Sequence, residues 1–407
     1  MNNTSFRFVN YNTIQTLFVD LIQIAIGCRK SLQRIPTDDE WRQLLQMSQE
    51  QAVVGVCLAG VGRLKLLGIS PPDDVSLDWS WQAMKIQDRN VQMNQWSRFL
   101  CRRIEEDGFK CCVLKGQSLA RLYDYKEVVR NTDIVNATSC RDVDNKHNSL
   151  DMLRQPGDID LWLLASHKDV IRWGQKEHGI WFYDYHHADL QGFYDAEVEL
   201  HYRPTLSRNL WRNARLQRWF KQEREKLIDY SDDAGFPVPN DVFNLILVLN
   251  HNFWHLLYEG VGMRQMMDLY FVLMNLNLSI SSNNKNGIYS RYVRRFGLMK
   301  FAAASMWVMQ EVFGLPKEKM VCRPDEKAGV FLLKEIFQSG NFGKSDKRLK
   351  RGRYKNRMML MTAWMKHNWR LFRYYPVDVA WTPIGVLYIS MWRRWHYAVD
   401  GFMLDKR

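Results

Sequence analysis

The stretch RQPGDIDLWLL, Arg154 to Leu164, places two carboxylates one residue apart in an apolar run that follows a Pro-Gly turn. Alternate side chains of a strand share a face. Asp158 and Asp160 therefore lie on one side, with Ile159, Leu161 and Leu163 on the other. A charge withdrawn from water is costly unless it is paired or bound to a metal. A second stretch, AEVELHY from Ala196 to Tyr202, repeats the device: Glu197, Glu199 and His201 share a face, and Val198 and Leu200 read as core. If the two strands are neighbours, three or more carboxylates converge, the oxygen donor set that hard cations such as Mg²⁺ take. Two such ions can align a triphosphate and an attacking hydroxyl for in-line displacement. The plainer alternative is a D-x-D pair facing solvent on a half-exposed strand. The flanking apolar residues and the second acidic strand weigh against it.

Positioning these residues requires a small sheet. FKCCVLKG, Phe109 to Gly116, is a short β-rich run that stops at a glycine, and the two acidic stretches supply two more strands. A helix is expected over 166–178, between the second and third. The first hundred residues read as helices. Thr37 and Glu40 form a capping box ahead of Trp41, Leu44, Leu45 and Ser48, and a second helix is expected over 79–107, ending at Gly108. From Asp241 the helical period returns in DVFNLILVLNHNFWHLL and GMRQMMDLYFVLMNL. The expected class is α+β: a small mixed-sheet core at 109–235 between an N-terminal helical region, 1–108, and a C-terminal one, 236–407. The polar stretch at 124–153 is long for a connection inside a compact domain and reads as an insertion or a mobile loop.

The chain has 407 residues, 46% of them hydrophobic, enough for a sizeable core. Its longest early apolar run, Leu17 to Gly27, is short and interrupted by Asp20, so a helix rather than a signal peptide is expected there. Seven cysteines, an odd number with no C-x-x-C pair, argue against a disulfide framework and a zinc ribbon and favour a reducing cytoplasm. The net charge of +13 favours anionic partners such as nucleotides, nucleic acid or acidic lipid. KSDKRLKRGRYKNR, Lys344 to Arg357, carries eight basic residues in fourteen, followed by aromatics interleaved with arginine. That pattern suits nucleic acid, an acidic membrane surface, or simply a solvated face over tryptophans packed in a helical core.

His251, His255 and Glu259 recur at four-residue spacing on one helical face, without the H-E-x-x-H order of zinc proteases. They read as a possible metal face or, more simply, as pocket-lining and helix-contact residues. Arg264 and Asp268 stand at i, i+4, a spacing that pairs charges on a helix without any functional reason.

Four segments in order, VLKGQSLARLY (Val113 to Tyr123), RQPGDIDLWLL, VELHYRP (Val198 to Pro204) and LNHNFWHLLYEGVGMRQMMDLYFVL (Leu249 to Leu273), resemble the uncharacterised nucleotidyltransferase family of the polymerase-β-type superfamily. DDEWRQLLQMSQEQAVVGV fits that family's helical lead-in. The resemblance implies a nucleotidyltransferase core, with Asp158 and Asp160 as ligands of Mg²⁺ or Mn²⁺ and Glu199 as the third carboxylate near the acceptor hydroxyl. Glu197 competes for that third place. It implies nucleotide phosphates bound by Lys115, Gly116 and Ser118, with Arg154 either on phosphate or neutralising the acids. Arg264 is a further phosphate candidate, and His201, His251 and Asp268 match family positions. The implied partners are a nucleoside triphosphate and an acceptor that is a small molecule, a protein or an RNA end. The alternative is a non-catalytic module of the same fold presenting residues 344–357 to nucleic acid or an acidic membrane. The insertion is a departure from the family's short link; RNTDIV, Arg130 to Val135, mimics the acidic motif inside it but lacks the glycine and the second aspartate.

Overall fold

The computed structural model describes residues 13–123, 150–230, 235–276, 287–346, 348 and 357–401. The imitation motif at 130–135, most of the insertion and most of the basic run 344–357 lie outside them.

Four helices lead in: α1 (Thr13–Ala25), α2 (Asp38–Glu50), α3 (Val54–Lys65) and α4 (Asp73–Glu106). The capping box of α2 forms as its sequence predicts, with Thr37 accepting from the Glu40 amide at 3.3 Å and Glu40 accepting from the Thr37 amide at 2.9 Å. Trp41, Leu44, Leu45 and Ser48 are its buried residues. Helix α4 starts at Asp73, ahead of the expected Trp79. Pro72 leads into it, and Asp73 and Asp74 put negative charge at the positive end of the helix dipole.

One mixed sheet contains β1 (Cys111–Val113), β2 (Ile159–Leu163), β3 (Ile180–Tyr183), β4 (His187–Leu190) and β5 (Val198–His201), in the order β1-β2-β5-β4-β3. Strands β2 and β5 are parallel; the other neighbours are antiparallel. A single turn, α5 (Gln117–Ala120), follows β1, and another, α6 (Leu150–Leu153), precedes β2. The expected helix between β2 and β5 is α7 (His167–Glu177), capped by Ser166. The β3–β4 hairpin after it was not foreseen. Its turn has no Asn-Gly or Asp-Gly signal; the Asp184 amide closes it by donating to the His187 carbonyl at 2.9 Å. After β5 come α8 (Leu210–Glu223), a minimal ladder of β6 (Ile228–Asp229) and β7 (Val238–Pro239), then α9 (Asp241–Tyr258), α10 (Met263–Asn275), α11 (Ile288–Arg295), α12 (Met299–Phe313), α13 (Glu326–Ser339), α14 (Arg357–Phe372) and α15 (Pro376–Asp400). The fold is α+β.

Two apolar cores meet at the sheet. Ile159, Leu161, Leu163, Val198 and Leu200 pack on one face with Val170 and Trp173 of α7 and Leu100 and Ile104 of α4. On the other face Cys112 and Trp162 join a larger core shared by α1–α3 and α9–α13. That second core covers only part of its face. Where it stops, the cleft begins. No helix among the described residues is long and apolar enough to cross a membrane. The expected tryptophan packing in the C-terminal region is partial: Leu371, Tyr375 and Tyr397 are buried, whereas Trp364, Trp369 and Trp395 are exposed.

Helix α15 is tied to the sheet through aromatic residues. The Tyr397 hydroxyl donates to the Tyr183 carbonyl at 2.7 Å, and the His167 ring packs edge-on to Tyr183, Tyr202, Trp392 and His396. Burial first, then the neighbouring His396, push the His167 pKa down to about 4 from 6.5; Arg203 and Lys168 act in the same sense and Asp400 opposes them. A depressed histidine pKa means the unfolded chain takes up the proton first. The stabilisation is whole above pH 6.5 and is lost as pH falls toward 4. Thermal melts should therefore drop by a few degrees across that window, and His167→Gln should flatten the drop. An unchanged pH slope in the variant would show that His167 is not the responsible group.

Candidate active site

The parallel register decides which side chains meet. It sets Asp160 opposite Glu199 and Trp162 opposite His201, while β4 sets Asp189 opposite Glu199 and His187 opposite His201. Opposed residues in a sheet share a face, so one row of three carboxylates, Asp160, Glu199 and Asp189, runs across three strands, with His201 and His187 behind it. Strand β1 hands the chain to this row. The Leu114 amide donates to the Asp160 carbonyl at 2.9 Å, and Lys115 then turns its ammonium to within 2.7 Å of Asp160 Oδ1. Gly116 has φ +59°, a left-handed value that a side chain resists, and a Cβ there would lie 3.3 Å from the Asp158 carbonyl oxygen. This close approach holds the lysine turn against the acidic strand.

Compensation of charge is local. Burial alone would lower the Lys115 pKa, but Asp160, Asp158 and Glu199, in that order, outweigh it and hold it above its ordinary value. His201 Nε2 lies 2.9 Å from Asp160 Oδ1 and 3.1 Å from Glu199 Oε2. Burial works against the imidazolium; these two hydrogen bonds overcome it and raise its pKa to about 9. For Glu199, burial raises the pKa, yet the His187 charge and the His201 hydrogen bond bring it down to about 2. A carboxylate so stabilised is a weak base and remains ionised, the state a cation ligand needs.

These groups floor a cleft of about 980 Å³ whose lining includes Lys115, Gly116, Asp158, Asp160, Glu197, Glu199 and His201. Glu197 is exposed at its mouth, just before β5, where its carbonyl accepts from the Ile159 amide at 2.9 Å. His251, also on the cleft, faces His255 with their Nε2 atoms 2.9 Å apart, and His255 Nδ1 reaches Glu259 at 2.9 Å. Burial, then the Lys115 charge, push the His251 pKa well below its ordinary value.

Ser118 and Arg154 are engaged otherwise than expected. Ser118 is fully buried and does not line the cleft; its amide and hydroxyl both donate to the Lys115 carbonyl, at 3.2 and 3.5 Å. The one-turn helix it belongs to uses its first amides internally. Arg154 does not contact the acidic row: its Nε and Nη2 grip Asp268 at 2.7 and 2.8 Å, with the Tyr123 hydroxyl on the same carboxylate at 2.8 Å, while the residue also lines the cleft. Asp268 thus pairs across the fold rather than with Arg264 one turn away. Arg264 instead donates to the Gln155 and Pro156 carbonyls at 3.3 and 3.4 Å and stacks over Phe342. Its Nε is buried without a hydrogen-bond partner among the described residues.

Sequence reasoning missed His186, His187 and Asp189. The alternation in H-A-D, His187 to Asp189, is the same signal as D-I-D, but it sits in an aromatic run whose turn was not legible.

The site is thus a mixed sheet with an acidic row beside a lysine-glycine turn in an α+β protein. The profile described as "Uncharacterised nucleotidyltransferase" matches residues 37–134 and 151–314. The chain belongs to that family. The gap between the matched segments falls inside the stretch read as an insertion. Neither the curated proteins nor the solved structures compared with the chain give a match.

The Arg154–Asp268 pair is nearly sealed from solvent, with side chains 5% and 9% exposed. Removing one partner strands the other charge, so Arg154→Met or Asp268→Leu should each lower stability by about 3–5 kcal/mol in urea unfolding. The double variant should lose less than either single variant. Additive losses would show that the pair carries no coupling.

Proposed function

We propose that the chain moves a nucleoside monophosphate from a nucleoside triphosphate to an acceptor hydroxyl, with pyrophosphate leaving and with Mg²⁺ or Mn²⁺ held by Asp158, Asp160 and Glu199. The observation that carries this reading is the β2–β5 register, which aligns Asp160 with Glu199 on the cleft floor beside Lys115. The donor set supports such a cation: one ligand atom each from Asp160, Glu199 and His201 lies within 4.8 Å of the others, Asp158 lines the same cleft, and the Glu199 pKa is strongly depressed. Once bound, the ion supplies charge neutralisation to the phosphates and acidifies the acceptor hydroxyl.

The chain's own residues do the rest. Lys115 adds a fixed positive charge where the phosphates enter. Arg264 lines the same space, with its Nε buried behind it, and burial and the adjacent Arg154 charge lower its pKa. An anion beside the guanidinium offsets that crowding of charge. His201 holds the Asp160 and Glu199 oxygens in register through its two hydrogen bonds. In the transfer, the acceptor oxygen bonds to the α-phosphorus as the bond to the bridging oxygen breaks. The electron pair leaves with pyrophosphate, and the hydroxyl proton passes to solvent. Glu199, with its pKa near 2, acts as ligand rather than as proton acceptor.

A second reading draws on the exposed face of α14 and α15, where Met365, Trp369, Leu387 and Trp395 stand open. There the fold would serve as a non-catalytic module docking its basic aromatic region on nucleic acid or an acidic membrane. Such binding would be indifferent to the aspartates.

The test is incubation of the full chain with α-labelled triphosphates and Mg²⁺ or Mn²⁺, reading pyrophosphate release and label transfer. Asp158→Asn with Asp160→Asn should reduce both by at least ~100-fold while the circular-dichroism spectrum is kept. Transfer that survives the double substitution would remove the assignment.

A further inference from the structure

A cation on Asp158, Asp160 and Glu199 uses one side of Glu199. Strand β4 brings a second donor set to its other side. One ligand atom from each of His187, Asp189 and Glu199 lies within 4.8 Å of the others. His187 Nε2 is 3.2 Å from Asp189 Oδ1, and His187 Nδ1 is 3.7 Å from Glu199 Oε2. The first contact is not a hydrogen bond: Asp189 Oδ1 is buried and has no hydrogen-bond partner among the described residues, although the imidazole nitrogen is in range. The imidazole and the carboxylate are thus in contact while an Asp189 oxygen stays unsatisfied, which an ion between them would relieve. Behind them His186 Nε2 lies 3.0 Å from His187 Nδ1 and fixes the ring, the position that an outer partner of a metal-bound histidine takes.

We propose that His187, Asp189 and Glu199 form a second divalent-cation site, sharing Glu199 with the first, that takes a transition-metal ion such as Zn²⁺ or Fe²⁺ in preference to Mg²⁺, with Mn²⁺ as its spectroscopic probe. This rests on the reading of Asp158, Asp160 and Glu199 as ligands of the first ion. The preference follows from the donors. Mg²⁺ keeps a shell of oxygens and gives up water reluctantly, whereas an imidazole nitrogen suits the transition ions. Position favours a site as well. The three residues come from two antiparallel strands whose register is fixed on both sides, so the donors are held by backbone pairing rather than by a loop. His187 and Glu199 also line the cleft, which gives an ion a way in.

Metal-stripped full-length protein should be titrated with Mn²⁺, reading free ion by electron paramagnetic resonance and nitrogen coupling of the bound ion by pulsed methods. Wild type should hold two ions per chain, with nitrogen coupling on one. His187→Ala and Asp189→Asn should each remove one ion, and His186→Gln should weaken it by ~10–100-fold. Asp158→Asn should weaken the other ion and leave this one. Excess Mg²⁺ should displace the ion from the aspartate side first. A single ion in wild type, a second ion untouched by both His187→Ala and Asp189→Asn, or equal displacement of both by Mg²⁺ would overturn the second site and leave the transfer reading intact. No ion bound by wild type would remove the reading of the whole site. If His187→Ala fails to fold, Asp189→Asn decides the matter alone, since its substitution is nearly isosteric.

Discussion

The site depends on the register of one parallel strand pair. Because side chains alternate with period two, a slip of β5 by one residue against β2 would turn Leu200 into the cleft and drive Glu199 into the apolar core, breaking its alignment with Asp160. What prevents it is the face opposite the cleft: Ile159, Leu161, Leu163, Val198 and Leu200 are all buried there against α4 and α7. The chemistry on one side is thus fixed by hydrophobic burial on the other. β1 adds a second lock, since its antiparallel pairing with β2 sets Val113 opposite Leu161 and so sets where Lys115 leaves the sheet.

Holding several carboxylates in so small a space raises an electrostatic difficulty that the structure meets locally. Lys115, His201 and His187 all contact the acidic row, and each contact lies within 4 Å. Arg154, the one arginine in the acidic motif itself, has a different task. With Tyr123 it secures Asp268 on α10, and so joins the lead-in of β2 to the helical core. Asn90 of α4 supports the same joint by donating to the Met152 and Arg154 carbonyls. The cleft therefore has a floor set by the sheet and a wall set by the helices, and a buried ion pair fastens one to the other.

Much of this was legible in the sequence. The alternation in DIDLWLL and VELH gave both acidic strands and the face each acid takes, and Thr37 with Glu40 announced α2. The family resemblance supplied the order of motifs and is matched by the family profile. What was not legible is what depends on distant partners. A sequence cannot show that Arg154 finds Asp268, because a spacing of i, i+4 favours Arg264 locally while the tertiary fold offers a bidentate alternative. Nor could Ser118 be seen as buried, since the one-turn helix that hides it is too short to have a period. The hairpin carrying His187 and Asp189 was lost for want of a turn residue, and with it one of the three carboxylates of the row.

The polarity of the cleft follows from these same elements. Asp158, Asp160, Glu197 and Glu199 make the floor acidic, with Lys115 set among them, while Arg264 and Lys344 bring positive charge from the helical side, and all seven line one space. A polyanion entering alone would be repelled by the floor and held by the wall. A cation entering alone would favour the floor. On the proposed reading, a triphosphate accompanied by a cation satisfies both at once, because the ion would neutralise the carboxylates that the phosphates must approach. The residues such a pair would meet stand on backbone elements whose positions are settled by packing.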